Sequence, residues 1–305
     1  MRSSYKAVLL FVCLIQVGLS RADVGGPFRQ REQRASAATG AVKVVTGQPG
    51  SVVFINNVRH GVSSAEGVLE LSHVRAGSYP IRIRTVGYTD WKGTLAVSAG
   101  GSRTLKVNQQ ATSDQATLHY QNGDQLRDAG KNDDAVKEYE QAIRLRPAFP
   151  EARLGMARSL ITQQKFEIAE QQIVAAFKEP GVNRAEAQTL LANLRRYQGL
   201  LDESVAEYRK ALRLAAGVSP EAHIGLAIAL EELGQAQESI REFRTGITQD
   251  MDTEPILYYL LGSALEKSGA NQQAIEAYRN YLRLDPEGQY ASAVESMIEK
   301  LKEEH

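Results

Sequence analysis

Residues 116–149 read ATLHYQNGDQLRDAGKNDDAVKEYEQAIRLRPAF, and the placing of small and bulky residues in this stretch decides the fold. Gly123, Gly130, Ala135 and Ala142 are small, Tyr139 is large, and Pro147 ends the run. Laid over the rest of the chain, the pattern recurs every 34 or 35 residues, from starts near Ala116, Pro150, Ala185, Pro220 and Pro255. The eighth place holds Gly123, Ala157, Ala192, Ala227 and Gly262, all small enough for two helix backbones to approach closely. At the fifteenth stand Gly130, Gln164, Gly199, Gly234 and Gly269; glycine there suits a left-handed helix end that turns the chain back. The twentieth place is small again, and four residues further on Tyr139, Ile173, Tyr208, Phe243 and Tyr278 fill the gap between helices. Copy two departs most, with Gln164 and Ile173 in place of the glycine and the aromatic, and Tyr281 stands in the last copy where the twenty-seventh residue is otherwise small. One helical hairpin cannot bury its apolar side alone, whereas five stacked hairpins build a continuous core. Residues 287–305 read as a capping helix, with Ala293, Val294, Met297, Ile298 and Leu301 on one face.

The pattern resembles the tetratricopeptide repeat (TPR), and five copies carry the resemblance over residues 114–286. The resemblance implies an all-α right-handed solenoid whose concave wall is lined by the second, fifth, ninth, twelfth and thirteenth residues of each first helix. Carried onto this chain, the candidates for binding a partner in that groove are Tyr120, Arg127, Arg158, Asn193, Arg196, Tyr197, Ile228 and Tyr259. The arginines towards the front can grip a carboxylate or an acidic peptide segment, and the aromatics can anchor apolar side chains. The plain alternative for each is a solvent-facing or partly packed residue. The lysine-and-asparagine clamp that some members of the family use for free C-termini is not reproduced, because Tyr120 and Asp124 stand at its positions.

Residues 41–108 are different in kind. Val42–Val45, Ser51–Ile55, Leu69–Leu71, Tyr79–Arg84 and Leu105–Val107 alternate or cluster apolar residues between turns of Gly, Pro and Asn, which predicts strands. In Ile81-Arg82-Ile83-Arg84 the isoleucines point to a core and both arginines to water, so a small antiparallel sandwich with a wet side is expected. Pro49-Gly50-Ser51-Val52-Val53-Phe54-Ile55-Asn56-Asn57, Gly61, Ala76-Gly77, Gly87-Tyr88 and Val97-Ser98-Ala99-Gly100 resemble the PEGA domain, a small bacterial β-module. Two departures from that pattern are Ser51 in place of alanine and Val62-Ser63-Ser64 where a Thr-Pro turn is usual. The resemblance implies an extracytoplasmic module with no catalytic residues. The fold expected of the whole is therefore α+β in two domains, a PEGA-like antiparallel β-sandwich followed by a solenoid of about five TPR hairpins and a capping helix.

At the front, an apolar run from Ala7 to Leu19 follows Arg2 and Lys6 and precedes Ser20-Arg21-Ala22, the grammar of a secretory signal over residues 1–22. The run is shorter than the roughly 20 residues that span a bilayer, so export to the periplasm or cell surface is expected, with no stable membrane span after cleavage; anchoring to the inner membrane by an uncleaved signal is the alternative. Residues 23–40 are rich in Gly, Ser, Ala, Arg and Gln and read as a flexible tether. The only cysteine, Cys13, lies within the apolar run, so a processed chain has no thiol for disulfides, nucleophilic catalysis or metal binding.

The chain is formally neutral, but residues 23–110 carry 11 Lys/Arg against 5 Asp/Glu and residues 111–305 carry 22 against 31. A basic front of this kind can seek an anionic surface, dock on its own acidic back, or simply be solvated. Nucleic acid is not an expected partner, since the main domain is acidic. There is no nucleophile elbow, phosphate loop, dinucleotide fingerprint or zinc-protease motif, and His60, His73, His119, His223 and His305 stand apart from one another in sequence. No catalytic residue, metal site or cofactor is expected. The chain thus reads as an exported, non-enzymatic scaffold that binds a protein or peptide in the groove, with the β-domain positioning it at a cell-envelope component. A second reading makes the β-domain an adhesive unit for cell wall or an anionic surface, through Tyr88, Trp91 and the nearby arginines, with the repeats as a spacer.

Overall fold

Seven strands open the chain in a computed structural model that describes residues 39–250 and 254–303. The expected signal peptide, and all of the expected tether before residue 39, lie outside the described residues. The strands are β1 (Thr39–Val45), β2 (Val52–Ile55), β3 (Val58–Val62), β4 (Val68–Arg75), β5 (Gly77–Arg84), β6 (Trp91–Val97) and β7 (Ser102–Lys106). They form a three-stranded sheet in the order β4-β1-β7 and a four-stranded sheet in the order β3-β2-β5-β6. Val42, Val44, Val53, Ile55, Ile81, Ile83 and Leu95 are buried between the sheets, as period-two alternation requires. Asn56 and Asn57 turn β2 into β3 with φ of 51° and 64°, the two successive positive values of a type I′ hairpin, which asparagine tolerates.

The sandwich differs from the sequence expectation in three respects. One pair of strands, β1 and β7, runs parallel; β7 arrives from β6 in the other sheet, and such a crossover, unlike a tight hairpin, does not force the direction to reverse. Strands β3 and β6 had no predicted counterpart, because β3 carries a register shift opposite Val53 and Phe54 and β6 is interrupted by Gly93. Above all, Arg82 and Arg84 do not face open water. They share the outer face of the four-stranded sheet with Phe54, which pairs with Arg82 in register, and that face turns towards the helices; Arg84 is only 8% exposed.

The helices form five hairpins: α1 (Gln115–Asp128) with α2 (Asn132–Leu145), α3 (Pro150–Thr162) with α4 (Phe166–Phe177), α5 (Arg184–Tyr197) with α6 (Leu201–Leu214), α7 (Pro220–Glu232) with α8 (Ala236–Gln249), and α9 (Pro255–Lys267) with α10 (Asn271–Leu284). Proline occupies the first turn of α3, α7 and α9, where its missing N–H costs nothing. The side chains of Asp114, Asn183 and Ser219 accept N–H groups at the starts of α1, α5 and α7. Gly130, Gly199, Gly234 and Gly269 take φ of 75° to 78° at the hairpin turns, and Gln164 takes +60° at the same place in copy two. The second hairpin therefore closes like the others without its glycine.

Packing follows the small and large places. The ring of Tyr139 is fully buried, and a Cβ on Gly123 or on Gly155 would come within 2.7 Å of it. One ring thus seals its own hairpin and the seam to the next. Tyr281 is buried and its hydroxyl accepts the N–H of Tyr290 at 3.1 Å, so the large residue in the last copy reaches out to hold the cap, α11 (Ala291–Glu303). The cap buries Ala291, Val294, Ile298 and Leu301, with Met297 half-buried, while Ala293, expected on that face, is exposed. Among the described residues no helix is long and apolar enough to cross a membrane.

Candidate functional site

The first helices of the first four hairpins lie side by side, and a ladder of polar contacts crosses their concave face. Arg158 on α3 donates to Glu186 on α5 at 2.8 Å and reaches Glu221 on α7 at 3.4 Å. Asn193 on α5 donates to Glu221 at 3.3 Å, and Arg196 donates to Glu232 at 3.2 Å while lying 4.5 Å from the Tyr197 ring centre. Tyrosines of the second helices send their hydroxyls into the same layer. Tyr139 donates to Asp124 at 2.6 Å, Tyr208 donates to Asn193, and Tyr278 donates to Glu266 at 2.9 Å. Burial raises the Tyr139 and Tyr208 pKa values, so both remain hydrogen-bond donors at neutral pH. For Arg158, burial works against the charge, but Glu221 and Glu186 outweigh it and raise its pKa.

The outer face of the four-stranded sheet looks into this groove, and Arg84 is the keystone. Its guanidinium pairs with Asp90 of its own domain at 3.3 Å and with Asp124 of α1, donates to the Tyr120 hydroxyl at 2.6 Å and lies 4.7 Å from the Tyr120 ring centre. Burial disfavours the charge; Tyr120 and Asp90 more than offset it, and the pKa is raised. Beside it, Gln121 accepts from the Gly87 N–H at 3.0 Å and donates to the Tyr88 carbonyl at 2.8 Å. Arg82 stacks on Phe54 with its guanidinium 4.2 Å from the ring centre. The field of the sheet is felt well inside the groove. Glu186 has a lowered pKa: burial pushes it up, but Arg158 foremost, then Arg82 and Arg84 of the sheet, bring it below 4.5.

Cavities remain around the contact. One, of about 470 Å³, is lined by Arg127, Arg158, Asn193 and Tyr197, with Ile161 and Leu190 as its apolar part and Arg59 of β3 entering from the sheet side. Another, of about 650 Å³, runs between the sheet and the helices and is lined by Phe54, Arg82, Arg84, Tyr120, Arg127 and Arg158 among others. Of the residues expected in the groove, Tyr120, Arg127, Arg158, Asn193 and Tyr197 therefore meet around these cavities, and Arg196 stands next to Tyr197. Ile228 packs against the C-terminal core, and Tyr259 stacks on Tyr290 with ring centres 5.0 Å apart; neither lines these two cavities. The arginines expected to grip an acidic guest are engaged with the chain's own carboxylates, Arg127 with Asp124 at 2.8 Å included.

Sequence reasoning missed the acids at the second place of three repeats, Glu151, Glu186 and Glu221, although their spacing of 35 residues was there to be read. It also missed the role of two histidines. His119 meets Glu138 at 2.7 Å and His223 meets Glu242 at 2.5 Å; Arg153 with Gln172 and Gln188 with Glu207 make the same contact in the second and third hairpins, always 19 residues apart. The histidines thus staple the two helices of a hairpin.

Family models sort the chain in the same way. A TPR-repeat model matches residues 123–163, and a tetratricopeptide-repeat model matches 154–219, 189–253 and 224–289, which together span more than half of the 305 residues. The chain belongs to the tetratricopeptide-repeat family. A PEGA-domain model matches residues 39–112, so the β-sandwich is a PEGA domain. Among solved structures, a thermophilic TPR protein of Thermus thermophilus aligns with a TM-score of 0.52 at 16% identity, over 60% of this chain and 98% of that one. PilF of Pseudomonas aeruginosa aligns with a TM-score of 0.53 at 13% identity, over 62% of this chain and 84% of that one. At these identities the likeness concerns the TPR fold alone. No curated protein sequence matches the chain.

Proposed function

We propose that this TPR protein is an exported, non-enzymatic adaptor that binds a segment of another protein in its concave groove, with the PEGA domain positioning it at the cell envelope. The observation that carries the reading is the cavity of about 470 Å³ on the concave face, where the exposed ring of Tyr197 and the amide of Asn193 stand beside apolar Ile161 and Leu190. Polar orientation next to apolar contact is what a peptide side chain needs. TPR arrays bind proteins or peptides, and PEGA domains are typical of extracytoplasmic proteins, which supports the export implied by the N-terminal apolar run.

The test is capture from envelope extract by the full chain and by a Tyr197→Ala/Asn193→Ala variant. A partner retained by the natural chain and lost by the variant is the expected result, and identical sets of captured proteins would discard the groove as the binding site. The groove reading is preferred to the adhesive reading of the PEGA domain because Arg82 and Arg84 face the groove and Trp91 packs half-buried against the sandwich core.

A further inference from the structure

The groove of this protein is faced by part of its own chain. The tip of the β2–β3 hairpin, Asn56 and Asn57, faces Asn183, Glu186 and Glu221 across a cavity of about 270 Å³, and Arg59 on the next strand lines the cavity of Arg158, Asn193 and Tyr197. Arg59 also lies near enough to Glu254, at the start of α9, to draw that carboxyl's pKa down against the burial that raises it. A type I′ hairpin with arginines beside it thus faces the wall on which a TPR array receives a peptide.

Charge explains why it goes there. Around the two larger cavities the helices contribute the cations Arg127 and Arg158 against the carboxylates Asp124, Asp128, Glu151, Glu186 and Glu221. The wall is acidic in surplus, and the facing surface of the PEGA domain supplies Arg59, Arg82, Arg84 and Lys92. Such complementarity favours one docking orientation and penalises an acidic guest. The seam is also thin. Among the described residues, the direct hydrogen bonds that cross it are those of Arg84 to Tyr120 and Asp124 and of Gln121 to Gly87 and Tyr88, and open cavities rather than packed apolar side chains occupy much of the rest. A polar, poorly packed interface between domains is the kind that opens. The pivot is short: Thr112 is still bonded to Gly87 in the turn between β5 and β6, and Asp114 already caps α1.

We propose that the PEGA hairpin and its arginine-bearing sheet face occupy in cis the seat of the array's true guest, and that this guest is a basic hairpin or strand of another protein which enters by displacing them. The proposal rests on the groove reading given above and reverses its expected polarity, from an acidic guest to a basic one. It also makes the PEGA domain a lid: binding is weakened by the fraction of time the seat is filled.

A fluorescein-labelled cyclic peptide copying residues 52–62 serves as the probe, with fluorescence anisotropy as the readout on the full chain. The release variant is Arg84→Ala/Gln121→Ala, which removes every direct bond named at the seam. It is expected to bind the probe at least about tenfold more tightly than the natural chain, as removal of a competing closed state requires. Adding Glu186→Gln/Glu221→Gln to the release variant is expected to abolish that gain, and a probe with Arg59→Glu is expected not to bind. Equal affinity for the natural and released chains would overturn the lid. Absence of binding to either would overturn the basic-strand guest, while capture of an envelope partner in the experiment above would still stand for the groove. So that loss of the small sheet's own fold is not mistaken for release, Gln121→Ala alone, which alters only the helical side, is measured alongside; it must shift affinity in the same direction, and no shift overturns the lid.

Discussion

Tyr139 joins the core to the groove: its ring fills the space left by Gly123 and Gly155, and its hydroxyl leaves the core to hold Asp124, which in turn holds Arg84 of the PEGA domain. Two substitutions separate these roles. Gly155→Ala places a methyl 2.7 Å from the ring, and overpacking of this kind costs about 1–3 kcal/mol, to be read as a lower urea midpoint. Tyr139→Phe keeps the ring and deletes the hydrogen bond, which is worth about 1 kcal/mol; in addition it loosens Asp124, so weaker protection of the Arg84 strand from hydrogen exchange is expected. Gln164 marks the opposite case. Its φ of +60° is strained for a residue with a Cβ, at about 1–2 kcal/mol, and Gln164→Gly is expected to raise the stability of the second hairpin by about 1 kcal/mol, less the entropy that glycine gives to the unfolded chain. A thermal scan showing no gain would mean that the strain is absent.

The element that most repays attention is the β2–β3 hairpin. His60 lies on β3, and burial lowers its pKa from 6.5 to about 4, only partly opposed by a bond to the Ile55 backbone. Folding favours the neutral ring, so its contribution is complete above pH 6.5 and is lost as pH falls towards about 4. Stability of the PEGA domain is therefore expected to decline across that window, and His60→Asn is expected to flatten the decline in a series of urea titrations. At this scale the helices were nearly transparent in the sequence, because period, proline starts and glycine ends all coincide at places such as Pro220 and Gly234. Strands β3 and β6 were not, since Val-Arg-His-Gly-Val and the Gly93 interruption break the period-two signal that marks a strand. The histidine pairs were equally hidden. His119 and Glu138 are 19 residues apart, and only the closing of a hairpin brings them to 2.7 Å.

Over the whole molecule, the sign of the charge on each domain becomes a docking geometry. Glu186 is held ionised by Arg158 first and by Arg82 and Arg84 across the seam, with its pKa below 4.5. A lowered carboxylate stabilises the folded form above its unfolded value and ceases to do so as pH drops through its folded value. The seam is therefore expected to loosen from pH 4.5 downward, and small-angle scattering should record a larger radius of gyration before the helices lose their circular dichroism. If radius and helicity change together at every pH, the two domains do not part.

The repeat period, the small-and-large code and the excess of basic residues in residues 23–110 are local properties of the chain, and they announced a stacked helical array behind a basic β-sandwich. Each depends on residues close in sequence or on a count, and physics acts on those without knowing the final shape. Which face of the sandwich would be dry, and against what, depends on groups such as Arg84 and Asp124, 40 positions apart, meeting through folded elements. The surroundings of Arg82 and Arg84 were misread for that reason. An arginine alternating with isoleucine points to water unless a second domain stands there, and only the packed molecule brings the acidic groove to meet it.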